Sequence, residues 1–158
     1  MLPRKLTRED TSRLVEHLCE LQGEDRRLRF GMVVTDNYIE NYVFSSFDTD
    51  SMWFGCEDEG DIISACHVAV VNGQAELGCS VNKDYRNLKL AQAMFDRAIT
   101  WLRTKGITDV FMHCLTENGA MKHIARKNDM TVVSEHGDTD ANVAVAPASP
   151  FTNMADAY

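Results

Sequence analysis

The chain has 158 residues, of which 44% are hydrophobic and 25% are charged, and its formal net charge at pH 7 is −8. This length predicts one domain with a sizeable buried core. The acidic balance argues against DNA or RNA binding, which requires a basic face against the phosphates.

Membrane, disulfide-rich and metal-binding classes are also disfavoured. No apolar run approaches the roughly 20 residues that cross a bilayer, and the N-terminal segment lacks the apolar core of a signal peptide, so we expect a cytoplasmic protein. The cysteines are five in number and scattered among apolar neighbours, which indicates reduced, buried thiols. Neither a Cys-x-x-Cys nor a His-x-x-x-His spacing is present, so we expect no metal.

The first third of the chain predicts one short strand and two helices. Residues 3–6 form the strand, and Thr7 fits the N-cap of a helix that Gly23 ends. A second helix is expected to start near Asp36. Its apolar face consists of Tyr38, Ile39, Tyr42, Val43 and Phe47.

Three strands follow as successive hairpins. Met52–Cys56 and Ile62–Val71 are short apolar runs separated by an acidic turn. Asn72 and Gly73 both accept the positive φ of a type I′ turn, so the next strand, Gln74–Val81, should pair with the preceding one in antiparallel orientation.

The second half predicts helix and strand in alternation. Apolar residues at helical spacing run from Leu90 to Leu102, and Gly106 ends this helix. The later elements are a strand at 108–115, a helix at 119–127 and strands at 131–136 and 141–146. The unit from 74 to 115 should be parallel. We therefore expect an α/β fold with one mixed sheet of about seven strands and about four flanking helices, over one domain at 1–146 with a tail at 147–158.

The turn after the strand Gln74–Val81 carries the strongest functional signal. It opens a helix, whose first N–H groups have no internal partner and lie at the positive end of the helix dipole. Lys83, Arg86 and Lys89 crowd this turn, and the carboxylate of Glu76 lies one strand-length upstream. The pattern predicts a phosphate site beside a base; solvated charges on an ordinary turn are the alternative.

This arrangement resembles motif A of the GNAT superfamily, the acyl-CoA-dependent N-acyltransferases. The family pattern Arg/Gln-x-x-Gly-x-Gly/Ala matches at Arg86 and Ala91, and Lys89 stands at the first glycine. Residues 117–121 and 124–127 resemble the second cofactor helix, and residues 24–30 resemble the start of the domain in bacterial protein-lysine acetyltransferases. The resemblance covers residues 4–146 and implies the GNAT fold.

The resemblance implies acetyl-CoA as co-substrate. The backbone of the turn would bind its diphosphate, the strand would offer backbone groups to pantetheine, and Asn118 would hydrogen-bond the same arm or simply cap a helix. A helical φ and ψ at position 89 would let lysine replace glycine without steric cost. The implied cofactor residues are Cys79, Ser80, Val81, Arg86, Asn87, Leu88, Lys89, Leu90, Ala91 and Asn118.

Glu76 matches the position of the general base in several lysine acetyltransferases. A free lysine has a pKa of about 10.4, so a base must take its proton before attack. Strand alternation puts Glu76 on one face with Gly78 and Ser80, and Gly78 suggests a close approach there. An exposed structural glutamate is the alternative. By the same resemblance, Arg26, Arg29 and Phe30 would wall the acceptor site, or they belong to a solvated helix–loop segment.

The resemblance thus implies an N-acetyltransferase that acts by direct transfer to a primary amine, with a protein lysine as first choice. A non-catalytic GNAT-fold module that binds CoA or a protein partner is one alternative. Its sequence support is Lys89 and the lack of a tyrosine between Tyr85 and Tyr158. A small-molecule amine acetyltransferase is another. Homodimer formation is left open.

Overall fold

The computed structural model describes residues 1–115, 119–128, 131–135 and 138–144. Three helices follow the first strand, three strands follow these helices, and helix and strand alternate only in the second half of the chain. The strands are β1 (Arg4–Leu6), β2 (Ser51–Asp58), β3 (Asp61–Val71), β4 (Gln74–Val81), β5 (Asp109–Leu115), β6 (Thr131–Glu135) and β7 (Asp138–Ala144). The helices are α1 (Thr11–Glu20), α2 (Gly23–Phe30), α3 (Asp36–Ser46), α4 (Leu90–Thr104) and α5 (Gly119–Lys127), with short 3₁₀ helices at Arg8–Asp10 and Lys83–Leu88.

The strands form one mixed sheet in the order β1-β2-β3-β4-β5-β7-β6. β4 and β5 are parallel and all other neighbours are antiparallel. The mixed α/β class, the parallel unit and the hairpins predicted from the sequence are confirmed. Asn72 and Gly73 have φ values of 53° and 77°, as the type I′ turn requires.

Two apolar clusters cover the two faces of the sheet. On one face, β2 to β5 pack against α4, with Phe54, Met94 and Leu102 at the centre. On the other face, α1 and α3 pack on β1 to β3 through Leu14, Ile39 and Trp53, among others. The helical residues of both clusters are predicted by the spacing of apolar residues along the helices. Among the described residues, no helix has the length and hydropathy needed to cross a membrane.

One helix was not predicted. α2 occupies residues 23–30, ends at Gly31 with φ of 76°, and contains no buried residue. Its sequence lacks the apolar period that indicates a helix. With α2, the described residues contain five α-helices, where about four were expected. α2 contacts both β4 and β5, so this polar helix lies over the centre of the sheet.

β4 and β5 separate after a short stretch of pairing. Gln74–Glu76 pairs with Asp109–Phe111, and beyond these positions no further pairing joins the two strands among the described residues. β4 nevertheless continues to Val81 and stays paired with β3. A gap therefore opens between the second half of β4 and the second half of β5.

The hydrogen-bond alternation of β4 decides which groups face this gap. The two-residue turn closes on a hydrogen-bonded pair, Val71 and Gln74, so every second residue from Gln74 bonds to β3. The residues between them direct their backbone N–H and C=O groups toward β5. Among the described residues, the N–H and C=O of Cys79 and the N–H of Val81 thus face the gap without a backbone partner, whereas the Leu77 N–H lies beside the last paired residue of β5, Phe111.

Candidate active site

A cavity of about 470 Å³ lies at the end of the gap, bounded by β4, α2, α4 and α5. Six of the predicted cofactor residues line it: Cys79, Ser80, Val81, Arg86, Lys89 and Ala91. Leu90 is buried in the core instead, and Asn87 and Leu88 belong to the 3₁₀ helix that leads into the turn. Asn118 lies outside the described residues, as do residues 116–117 and the predicted tail.

The turn itself is shaped by Lys89. This residue ends the 3₁₀ helix and precedes α4, with φ of 58° and ψ of 29°. The condition under which lysine would replace glycine without steric cost, a right-handed helical φ and ψ at position 89, is therefore not met. The left-handed region costs an L-residue about 1–2 kcal/mol, whereas glycine adopts it readily. Lysine thus stands at a position whose backbone favours the glycine of the motif.

The start of α4 is suited to an anion. The first intrahelical bond at this end runs from the Ala93 N–H to the Lys89 carbonyl at 3.2 Å, so the N–H groups before Ala93 have no helical acceptor. The first turn of α4 contains no acidic residue to neutralise the dipole. Lys89 and Arg86 add two cations at the rim of the cavity.

Arg86 already forms an ion pair and a hydrogen bond within the protein. Its Nη2 lies 3.0 Å from Asp25 Oδ2 of α2, and its Nε donates to the Val81 carbonyl at 3.3 Å. Both side chains of the ion pair are more than 40% exposed, so the pair is worth at most about 1 kcal/mol. A diphosphate with two or more charges can replace Asp25 as the partner of Arg86.

The predicted strand residues have different roles in the geometry. The backbone groups of Cys79 and Val81 face the gap. Those of Ser80 pair with Ala65 of β3, and the buried Ser80 Oγ lies 2.9 Å from His17 Nε2. Ser80 therefore connects β4 to α1, while its neighbours leave hydrogen-bonding groups free.

Glu76 is exposed and lies at the apex of the gap, where it pairs with Phe111 of β5. Alternation puts it on the face that carries α2, together with Gly78. It does not line the cavity, and three residues along a strand separate it from Cys79, a distance of about 10 Å. A proton reaching Glu76 from the cavity end of β4 would have to pass through water.

Gly78 accommodates a residue whose environment the sequence did not reveal. A Cβ at Gly78 would lie 2.9 Å from both Cζ and Nη1 of Arg29, so the guanidinium rests directly on β4. Arg29 Nη2 donates to Tyr42 Oη at 3.3 Å, and Tyr42 Oη lies 2.7 Å from His67 Nδ1. Arg29 also lines the cavity. The close approach that Gly78 suggested is thus made by a cation.

Two histidines beside Arg29 are neutral. Burial, followed by the charge of Arg29, lowers the pKa of His17 to about 4 and that of His67 to about 3. Because Tyr42 Oη accepts from Arg29, it donates to His67 Nδ1, and the remaining proton of His67 is on Nε2. Arg29 therefore supplies the positive charge of this cluster without help from either histidine.

A scan against family models matches residues 14–129 to the acetyltransferase (GNAT) family. None of the curated protein sequences matches the chain. The fold is shared with solved structures at low identity. The GNAT domain of PAT from S. lividans is 18% identical, with a TM-score of 0.76, over 90% of this chain and 89% of that one.

Two further similar structures have substrates or ligands in their names. The PaiA N-acetyltransferase from Thermoplasma acidophilum, solved in complex with coenzyme A, is 18% identical with a TM-score of 0.69, over 90% of this chain and 97% of that one. The ribosomal-protein-S18-alanine N-acetyltransferase from Escherichia coli is 16% identical with a TM-score of 0.70, over 94% and 96% of the two chains. At such identities the likeness concerns the fold alone.

Proposed function

The chain belongs to the acetyltransferase (GNAT) family, and on that premise we propose that it transfers an acetyl group from acetyl-CoA to the side-chain amine of a protein lysine. Acetyl transfer to an amine is the activity of the family. The lysine acceptor and the residues that perform the transfer are the proposal. The reduced thiols expected from the scattered cysteines support a cytoplasmic site of action.

The cavity at the end of β4 is the observation that carries this proposal. The diphosphate of acetyl-CoA binds at the start of α4, with Lys89 and Arg86 as counter-charges. The pantetheine arm runs along the gap and hydrogen-bonds to the free N–H and C=O of Cys79 and to the N–H of Val81, as an added strand would. The coenzyme A bound to the Thermoplasma acidophilum enzyme supports this ligand.

The chemistry is a direct transfer. The amine loses a proton through water to Glu76, and its nitrogen then attacks the thioester carbonyl carbon. The C–O electrons move onto oxygen and return as the C–S bond breaks, so that CoA leaves as a thiolate. The attacking nitrogen, which became positively charged on forming the C–N bond, releases a second proton through water to this thiolate, and a neutral amide and CoA result. Cys79 acts through its backbone and not as a nucleophile, because its Sγ donates to Cys66 Sγ at 3.0 Å.

A protein lysine is supported by charge and by segment likeness. The net charge of −8 attracts cationic acceptors. Residues 24–30, which form most of α2, resemble the corresponding segment of protein-lysine acetyltransferases. The name of the Escherichia coli neighbour also describes transfer to a protein amine, there an alanine.

Acetyl-CoA binding is tested by thermal unfolding. An excess of about 100-fold over Kd should stabilise the protein by about 2.7 kcal/mol. S-acetylpantetheine, which lacks the diphosphate, is the matched ligand and should give a much smaller shift. An unchanged melting curve in millimolar acetyl-CoA would contradict the proposed site.

The acceptor is tested with labelled acetyl-CoA and fractionated lysate. We expect label in protein, on lysine side chains identified by mass spectrometry. Label that enters only polyamines or free amino acids would favour a small-molecule acetyltransferase. A thermal shift without any turnover would favour a non-catalytic CoA-binding module.

A further inference from the structure

Within the described part of the chain, the guanidinium of Arg29 has no anionic partner. Its Nε is buried and makes no hydrogen bond, and the hydroxyl of Tyr42 is the hydrogen-bond acceptor found for the group. Among the described residues, no carboxylate forms an ion pair with it. Arg29 as a whole is only partly buried, but a guanidinium with a buried Nε and no counter-charge among the described residues is an uncompensated cation. Its place at the centre of the sheet favours the binding of an anion, or of a group that develops negative charge.

The surroundings hold this cation in one position. The ring of Phe30 lies 4.9 Å from the Arg29 Cζ, and the ring of Tyr42 lies 5.8 Å from it. Gly78 leaves the space that the guanidinium fills on β4. His67 fixes the Tyr42 hydroxyl in turn, at 2.7 Å. Arg29 is therefore preorganised before any ligand arrives, which is the condition for strong electrostatic stabilisation.

The guanidinium lies where the reactive end of the cofactor is expected. Arg29 lines the same cavity as Lys89 and Val81, but on the α2 side of β4. With the diphosphate at the start of α4, a ligand extended back along the free edge of β4 brings its thioester to the level of Gly78. Glu76 lies two residues further along the strand, on the same face.

We propose that the Arg29 guanidinium binds the carbonyl oxygen of the acetyl thioester and stabilises the negative charge that this oxygen acquires during transfer. This inference rests on the proposed function. When the amine nitrogen forms its bond to the carbonyl carbon, the π electrons move to the oxygen, which then pairs with Arg29. As the C–S bond breaks, the electrons return, the carbonyl of the amide product re-forms, and the charge departs with the CoA thiolate.

The most direct test needs no acceptor. Acetyl-CoA labelled with ¹³C at the carbonyl is bound to the protein, and the isotope-shifted C=O stretch is measured by difference infrared spectroscopy. A donated hydrogen bond from a cation weakens the C=O bond, so the band should lie at lower frequency than in free acetyl-CoA. In Arg29→Met the band should return toward the free value, and in Arg29→Lys it should lie between the two.

Arg27→Met is the matched control, because Arg27 lies on the same helix but does not line the cavity. Its band should equal that of the wild type. If Arg29→Met binds acetyl-CoA and leaves the band where the wild type has it, the inference is wrong. Failure of the wild type to bind acetyl-CoA would instead refute the proposed function itself.

Kinetics supply the second readout. Loss of one donor to an oxyanion typically lowers kcat by about 10² to 10³-fold. We expect such a fall in Arg29→Met, with the Kd of acetyl-CoA within about threefold of wild type, and a smaller fall in Arg29→Lys. A rise in KM confined to acceptors that carry a carboxylate, with kcat retained, would show that Arg29 binds the acceptor and would overturn the inference.

Discussion

The two ends of the cavity both carry arginine or lysine, but in opposite environments. At the outer end, Arg86 and Lys89 are exposed, and Arg86 already has a partner in Asp25. At the inner end, Arg29 rests on β4 among aromatic rings and neutral histidines, with its Nε buried. Water and salt screen the outer cations, whereas the inner one acts at low dielectric. The outer end should therefore govern affinity and the inner end the rate.

The largest effect is expected from Glu76→Gln at the apex of the gap. The amide cannot accept a proton, so turnover should fall by about 10² to 10⁴-fold while the Kd of acetyl-CoA stays nearly constant. The defect should shrink at high pH as the amine loses its proton unaided. Rates measured from pH 7 to pH 10 check this, with the exposed α3 residue Glu40→Gln as control. Wild-type turnover in Glu76→Gln would assign the base elsewhere.

The next effect concerns the neutral histidines of the inner end. The pKa of His67 is about 3 in the folded protein, below its ordinary value, so the unfolded chain binds a proton that the folded one excludes. Stability should therefore fall as the pH drops below about 6.5, by about 2 kcal/mol from this residue at pH 5. In His67→Gln, the free energy of unfolding should therefore differ between pH 7 and pH 5 by about 2 kcal/mol less than in the wild type.

Urea unfolding at the two pH values measures this difference. The matched control is His123→Gln on α5, since His123 is exposed at the cavity rim. It should keep the pH dependence of the wild type. An unaltered dependence in His67→Gln would mean that His67 is protonated in the folded state, and the inner end would then carry two cations.

Charge reversal at the outer end is expected to have a moderate effect on affinity. Lys89→Glu puts a negative charge against the diphosphate and should weaken acetyl-CoA binding about tenfold, less at high salt. Lys89→Gly removes only a screened cation and allows a closer backbone approach, so its Kd should stay within about threefold of wild type. Calorimetry at two salt concentrations distinguishes the variants. Equal affinities for both would remove Lys89 from the phosphate site.

The smallest effect is on the stability of the unliganded protein. Because Lys89 has a left-handed backbone, Lys89→Gly should relieve strain and stabilise the fold by up to about 1 kcal/mol, once the greater flexibility of glycine in the unfolded chain is allowed for. Lys83→Gly, in the adjoining 3₁₀ helix, is the comparison and should not stabilise. A destabilised Lys89→Gly protein would indicate that the lysine side chain makes a compensating contact.

The fold was predictable wherever local chemistry decided it. Asn72 and Gly73 determine a turn by their own preferences, and the apolar period of α4 determines a buried helix. The outer end of the site was predictable from the sequence for the same reason, because its strand, its turn and the start of its helix are contiguous in the chain. α2 was missed because it buries no residue, and a polar helix leaves no period to detect.

The inner end could not be predicted from local pattern. Arg29 is one of three arginines between residues 26 and 29, a run typical of a solvated segment. Only the packing of α2 across β4 brings it onto Gly78, 49 positions later in the chain. The strain at Lys89 was hidden likewise, because residue type does not reveal the sign of φ when lysine replaces the glycine that would have indicated it.

The early separation of β4 from β5 leaves an unpaired strand edge in the interior of the sheet. Such an edge exposes its amide protons to exchange, because no acceptor shields them. In deuterated water, the amides of Cys79 and Val81 should exchange quickly in the free protein, while those of Gly78 and Ser80 stay protected by β3. Bound acetyl-CoA should then slow the exchange of the gap-facing amides alone, because the cofactor occupies the place of a missing strand and supplies their hydrogen-bond acceptors.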